Sequence, residues 1–108
     1  MEDKQIIALF WERSEQAIRE TKKKYGKRCY SVAKRILKSH EDAEECVSDA
    51  LLQAWEKIPP ERPGILSAFL VRITRNLSLD RLRRIHAKKR GGGTYEAAYE
   101  ELSECLPD

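Results

Sequence analysis

The chain has 108 residues, 36% of them charged and 41% hydrophobic, with a formal net charge of +3. That length suits one domain with its own core, and the composition is that of a globular soluble chain rather than a disordered one. No run of about 18 apolar residues and no signal-peptide pattern occurs, so the expected compartment is the cytoplasm.

In chain order, four helices and no strand are predicted. The first runs from about Asp3 to Tyr25, with Ile7, Phe10, Trp11, Ala17, Ile18 and Tyr25 near helical spacing. Gly26 is expected to break it. A second helix then spans Lys27 to Lys38, with Cys29, Val32, Ala33, Ile36 and Leu37 inward. Ser39 and Asp42 have the S-x-x-D form that starts a helix, which should run to Lys57. The stretch "KIPPERPG", residues 57 to 64, holds three prolines and reads as a rigid loop. A fourth helix follows from Ile65 to Lys89, with Leu66, Phe69, Leu70, Ile73 and Leu77 as its apolar stripe. "RGGG" stops it, and Thr94 to Asp108 is acidic, with room for one or two amphipathic turns. The fold class is therefore all-α, a compact bundle of four helices over residues 1 to 90, followed by a linker over 91 to 108.

The small net charge conceals segregation. Residues 19–38 carry nine Lys or Arg against Glu20 alone. Residues 41–56 carry six acids and no base, and residues 72–90 carry eight Lys or Arg against Asp80 alone. Blocks of alternating sign point to faces with different partners. The cysteines, Cys29, Cys46 and Cys105, contain no CxxC and read as reduced, packed or idle thiols. His40 and His86 lack a partner at ligand spacing, so no metal site is expected.

On the third helix, Ala43, Cys46, Val47, Ala50, Leu51, Ala54, Trp55 and Ile58 cover one half of the wheel and form its core face. Leu52 falls on the other half, where its neighbours at i−7, i−3 and i+4 are Glu45, Asp49 and Glu56. An isolated exposed leucine is ordinary. An apolar knob beside three carboxylates is also a docking face for a basic partner. Both readings stand on these residues alone.

On the fourth helix, Arg72, Asn76, Arg83 and Arg90 fall within about 40° of one another, with Arg75 and His86 flanking and Leu79 interrupting. Such a stripe is either a solvated face or a track along phosphates, where arginines position and Asn76 reads a base edge. Asp80 can pair with Arg83 or Arg84. The proline loop beside it is either a connector or a wall for an unstacked base. "KKKYGKR", residues 22 to 28, reads as a solvated turn or a backbone contact.

"EDAEECVSDALLQAW" followed by "FLVRITRNLSLDRLRR" resembles region 2 of bacterial RNA polymerase sigma factors, of the extracytoplasmic-function (ECF) group, over roughly residues 5 to 90. The parts that carry the likeness are the D-A-E-E start, the A-W end of the third helix and R-I-T-R-N-L-S-L-D in the fourth. The resemblance implies that the third helix docks on the clamp coiled coil of the polymerase β′ subunit. It makes Asp49, Leu52 and Gln53 docking residues, with Glu45 and Glu56 at the edge. It implies that the loop from Lys57 through Arg62 to Ser67 holds a flipped base of the non-template strand. Arg72, Arg75, Asn76, Arg83 and Arg84 would contact promoter DNA at the −10 element and help melt it. An anti-sigma factor is a further implied partner; no cofactor or membrane is. The chain departs from the pattern at Ser48-Asp49, where the family often has Gln-Glu, and at Phe69 and Val71, where it often has Trp and Tyr. Family members continue through a linker into a second helical domain, so this chain resembles one half, with residues 91 to 108 as the start of the acidic linker.

The alternative is a helical interaction module that binds a regulator through its acidic face, its basic stripe serving only solubility. A helix-turn-helix repressor fits less well, because the proline loop is too long for the turn of that motif. An enzyme is the weakest reading: no Gly-rich phosphate loop, nucleophile-base signature or metal spacing occurs.

Overall fold

In the computed structural model, which describes residues 1–90 (backbone only from 88), four helices follow one another: α1 Asp3–Trp11, α2 Gln16–Leu37, α3 His40–Lys57 and α4 Leu66–Arg90. No strand occurs among the described residues. The expectations for the linker, its amphipathic turns and Cys105 lie outside the described residues, as does the Arg90 side chain.

Helix count and type agree with the sequence reading, but the first boundary does not. The predicted helix over 3 to 25 breaks at residues 12–15 instead of at Gly26. There the Ser14 N–H donates to Leu9 O and the Arg13 N–H to Phe10 O, each at 3.0 Å. This is a Schellman closure, with Arg13 as the left-handed residue at φ 58°. Arg13 holds that conformation because its guanidinium donates to Trp55 O at 2.8 Å and Ile58 O at 2.9 Å. Distant carbonyls thus decide a local stop. Gly26 lies inside α2. A single glycine costs a helix about 1 kcal/mol, and the burial of Thr21, Cys29, Ala33 and Ile36 on the same helix outweighs it.

α3 starts as its sequence predicts: Ser39 is the N-cap and its hydroxyl accepts the Asp42 N–H at 3.3 Å. Glu41 and Asp42 sit in the first turn, at the positive end of the helix dipole. α2 ends on Lys38, a left-handed cap at φ 61°.

The core forms two layers. One gathers Ile6 and Phe10 of α1, Ala17 and Cys29 of α2, Val47, Leu51 and Ala54 of α3, Ile58, and Leu66 and Leu70 of α4. The other gathers Ala33, Ile36 and Leu37, Ala43 and Cys46, and Leu79 and Leu82. The small residues Ala43, Ala50 and Ala54 on α3 are at most 1% exposed, so this helix packs closely on its neighbours.

α4 corrects its predicted stripe. Leu66, Leu70 and Ile73 are buried, but Phe69 and Leu77 are only half-buried. The buried face continues instead through Thr74, Ser78, Leu79 and Leu82. Thr74 is tolerated there because its hydroxyl donates to Leu70 O at 2.8 Å. Trp11, predicted to face inward, is 37% exposed. Both described cysteines are free and buried, and burial pushes their thiols up.

Candidate polymerase and nucleic-acid interfaces

The core face of α3 fixes what its outer face shows. Ala43, Cys46, Val47, Ala50, Leu51, Ala54 and Ile58 are buried as predicted, and Trp55 is half-buried. Leu52 is left 56% exposed, and Glu45, Asp49 and Glu56 are exposed with it. A large apolar side chain ringed by carboxylates supplies buried contact for a partner whose approach the charges guide. Glu45 is not idle: its carboxylate pairs with Arg81, which also donates to Asp42 at 3.2 Å. Arg81 thereby ties α4 to the first turns of α3.

A second surface lies where the end of α3, the proline loop and the middle of α4 meet. Gln53, Lys57, Glu61, Phe69, Arg72, Ile73, Asn76, Leu77 and Asp80 line a groove of about 340 Å³. Of the sequence-predicted residues, the groove brings together Lys57, Arg72 and Asn76, and it adds Gln53. Gln53 was expected on the docking face of α3, and it is half-buried at the groove lip. Arg72 and Asn76 are exposed, free to meet a backbone or a base edge. Phe69 and Leu77 are the half-buried apolar groups of the groove.

Arg83 and Arg84 lie further along α4. Asp80 holds both, at 3.4 Å and 3.1 Å. It keeps two guanidiniums on one side of the helix and partly offsets their charge. Arg75 is half-buried and does not line the groove, and Ser67 is half-buried in the first turn of α4. Arg62 does not line it either. Its guanidinium carbon sits 4.3 Å from the centroid of the Trp11 ring, a cation–π contact that pins the proline loop to α1.

Arg13 and Arg81 were missed at the level of sequence. Arg13 is fixed by carbonyls at the far end of α3, and its guanidinium carbon is 3.7 Å from the Trp55 ring centroid. Arg81 finds its carboxylates on another helix. Neither pairing has a signal at helical spacing.

Fold and surface together define an all-α binding domain that carries an exposed leucine among acids on one helix and, beside the next, a groove of mixed charge lined by Lys57 and Arg72 and by Glu61 and Asp80. The chain belongs to the family described as Sigma-70 region 2, which it matches over residues 22–88. It is a sigma-factor domain of transcription initiation, of a non-enzymatic class that binds RNA polymerase and DNA. No match is found among curated proteins or among solved structures. No described helix is long and apolar enough to cross a membrane.

Proposed function

We propose that the chain is the promoter-recognising part of an ECF-group sigma factor, working in the cytoplasm. The acidic face of α3 docks on the clamp coiled coil of the polymerase β′ subunit through Asp49 and Leu52, with Gln53, Glu45 and Glu56 at the border. The groove and the exposed edge of α4 meet the −10 element. Lys57, Arg72, Arg83 and Arg84 act on phosphates of the non-template strand, and Asn76 reads a base edge. Arg62 and Ser67 belong to the loop that borders a flipped base, and Arg75 supports the same face. An anti-sigma factor would act by covering the Leu52 face.

The observation that carries this reading is the exposure of Leu52 at 56% among three carboxylates, on the helix whose end forms one wall of the Arg72–Asn76 groove. Leu52 and Asn76 thus sit on successive helices, α3 and α4, an arrangement that suits a subunit bridging polymerase and promoter. The test is promoter binding by reconstituted holoenzyme. Arg72→Ala should weaken binding on every sequence and flatten its salt dependence, whereas Asn76→Ala should change base preference at one −10 position. Equal loss on all sequences for both variants removes Asn76 from readout.

A further inference from the structure

The basic cluster of residues 22 to 28 is not a turn. Gly26 lies within α2, so the cluster continues into one unbroken helix of 22 residues. A turn would fan these charges out; a helix aligns them. At about 100° per residue, Lys23, Lys27 and Lys34 fall within about 40° of one another, and Lys24, Arg28 and Arg35 form a second row beside them. All six side chains are exposed. Together they span about 18 Å of helix at 1.5 Å per residue. Lys24 is tied to Asp3 at 2.8 Å. Among the described residues, the other five have no carboxylate within ion-pair distance.

We propose that this solvent face of α2, carried by Lys23, Lys27, Arg28, Lys34 and Arg35, is a second DNA-binding surface that takes the phosphate backbone of duplex DNA without reading its sequence. Its composition selects the occupant. A protein partner needs an apolar anchor at the centre of the contact, and lysine is depleted at such interfaces. Among the described residues, the exposed large hydrophobic ones are Met1, Trp11, Leu52 and Ile65, none of them on α2. A membrane-surface helix needs an apolar face to bury in lipid, and the apolar face of α2 is spent on the core. A lysine-led row without amide or aromatic readers matches phosphate neutralisation. Steps of four residues advance about 6 Å along the helix, so successive cations reach different phosphates.

The test measures binding of the full chain, and of the holoenzyme, to unrelated short duplexes over a series of salt concentrations. The triple variant Lys23→Gln, Lys27→Gln, Lys34→Gln should bind at least about ten-fold more weakly at low salt, equally on every sequence. The slope of log K against log salt should become shallower by about 2 to 3, since each phosphate contact contributes about 0.9. Helical circular dichroism should be unchanged, because glutamine and lysine have similar helix propensity. Arg28→Gln with Arg35→Gln should shift the slope the same way, and Lys→Arg at the three sites should retain it. An unchanged slope overturns the proposal. So does a loss confined to vesicles of anionic lipid or to poly-glutamate, with duplex binding intact. The Arg72 and Asn76 variants test the −10 reading separately, so either account can fail while the other stands.

Discussion

Arg13 and Trp55, 42 residues apart, are joined twice: the Arg13 guanidinium donates to the Trp55 carbonyl at 2.8 Å and lies 3.7 Å from the centroid of the Trp55 ring. The same group also reaches Ile58 O. One side chain therefore satisfies carbonyls at the C-terminal end of α3, stops α1 and fixes the point where the proline loop begins. The groove wall formed by Lys57 and Glu61 inherits its position from that contact.

Replacing Arg13 should loosen that corner. Charge-assisted hydrogen bonds contribute about 1.5–3 kcal/mol in protected sites, and this side chain is exposed. Arg13→Ala should therefore cost about 1–2 kcal/mol in urea unfolding, all of it from the lost contacts, since both residues carry a Cβ in the left-handed backbone. Arg13→Gly relieves the backbone but not the carbonyls, so it should recover only a fraction. A loss below about 0.3 kcal/mol for both would show that the contact does not hold the corner.

Asp3 anchors α1 to α2. Its carboxylate accepts from Lys24 Nζ at 2.8 Å and from the Tyr25 hydroxyl at 2.8 Å. The Lys24 hydrogen bond holds the Asp3 carboxyl below its ordinary value, against the opposing effect of burial and with help from Tyr25. The folded value lies below the unfolded one, so the tie stabilises at pH above about 4 and fades as pH falls through the depressed value. The urea midpoint of Asp3→Asn should be lower than that of the wild type near neutrality, and the two should converge in acid. Parallel curves over the whole range would contradict the assignment.

The Asp80 carboxylate pairs with both Arg83 and Arg84. Asp80→Asn removes a negative charge, and its ion pairs with Arg83 and Arg84, from the edge of α4 proposed to meet DNA. Duplex affinity of the holoenzyme should rise a few-fold at low salt, with the gain vanishing at high salt. A loss of affinity would mean that Asp80 orients the arginines rather than restrains them. Stability should change by less than about 1 kcal/mol, since the pairs are surface ones.

Much of the fold was legible. The core face of α3 and the outward Leu52 followed from helical spacing alone, because 3.6-residue periodicity leaves little choice once the apolar half of a helix is identified. The Ser39 cap and the proline loop followed from local backbone chemistry. The break at Arg13 did not, because it depends on carbonyls 42 and 45 residues away. The continuity of α2 through Gly26 was missed because a glycine is weak local punctuation that packing overrides. On α4, the buried face passes through Thr74 and Ser78, polar residues that a count of apolar positions skips. The groove was half legible. Arg72 and Asn76 shared a stripe in the sequence, but Gln53 and Lys57 join them only because α3 and α4 pack side by side.

The outer face of α3 is the proposed polymerase contact, and the proposed function depends on it. The most direct measurement is capture of a β′ clamp coiled-coil fragment by the full chain, compared with Asp49→Lys and Leu52→Ala. Asp49 and Leu52 are exposed, so both variants should keep wild-type helicity and an unfolding free energy within about 0.5 kcal/mol of the wild type. Capture should be at least about ten-fold weaker for each variant, and capture of the wild type should weaken as salt rises. Undiminished capture by folded Leu52→Ala and Asp49→Lys would contradict it.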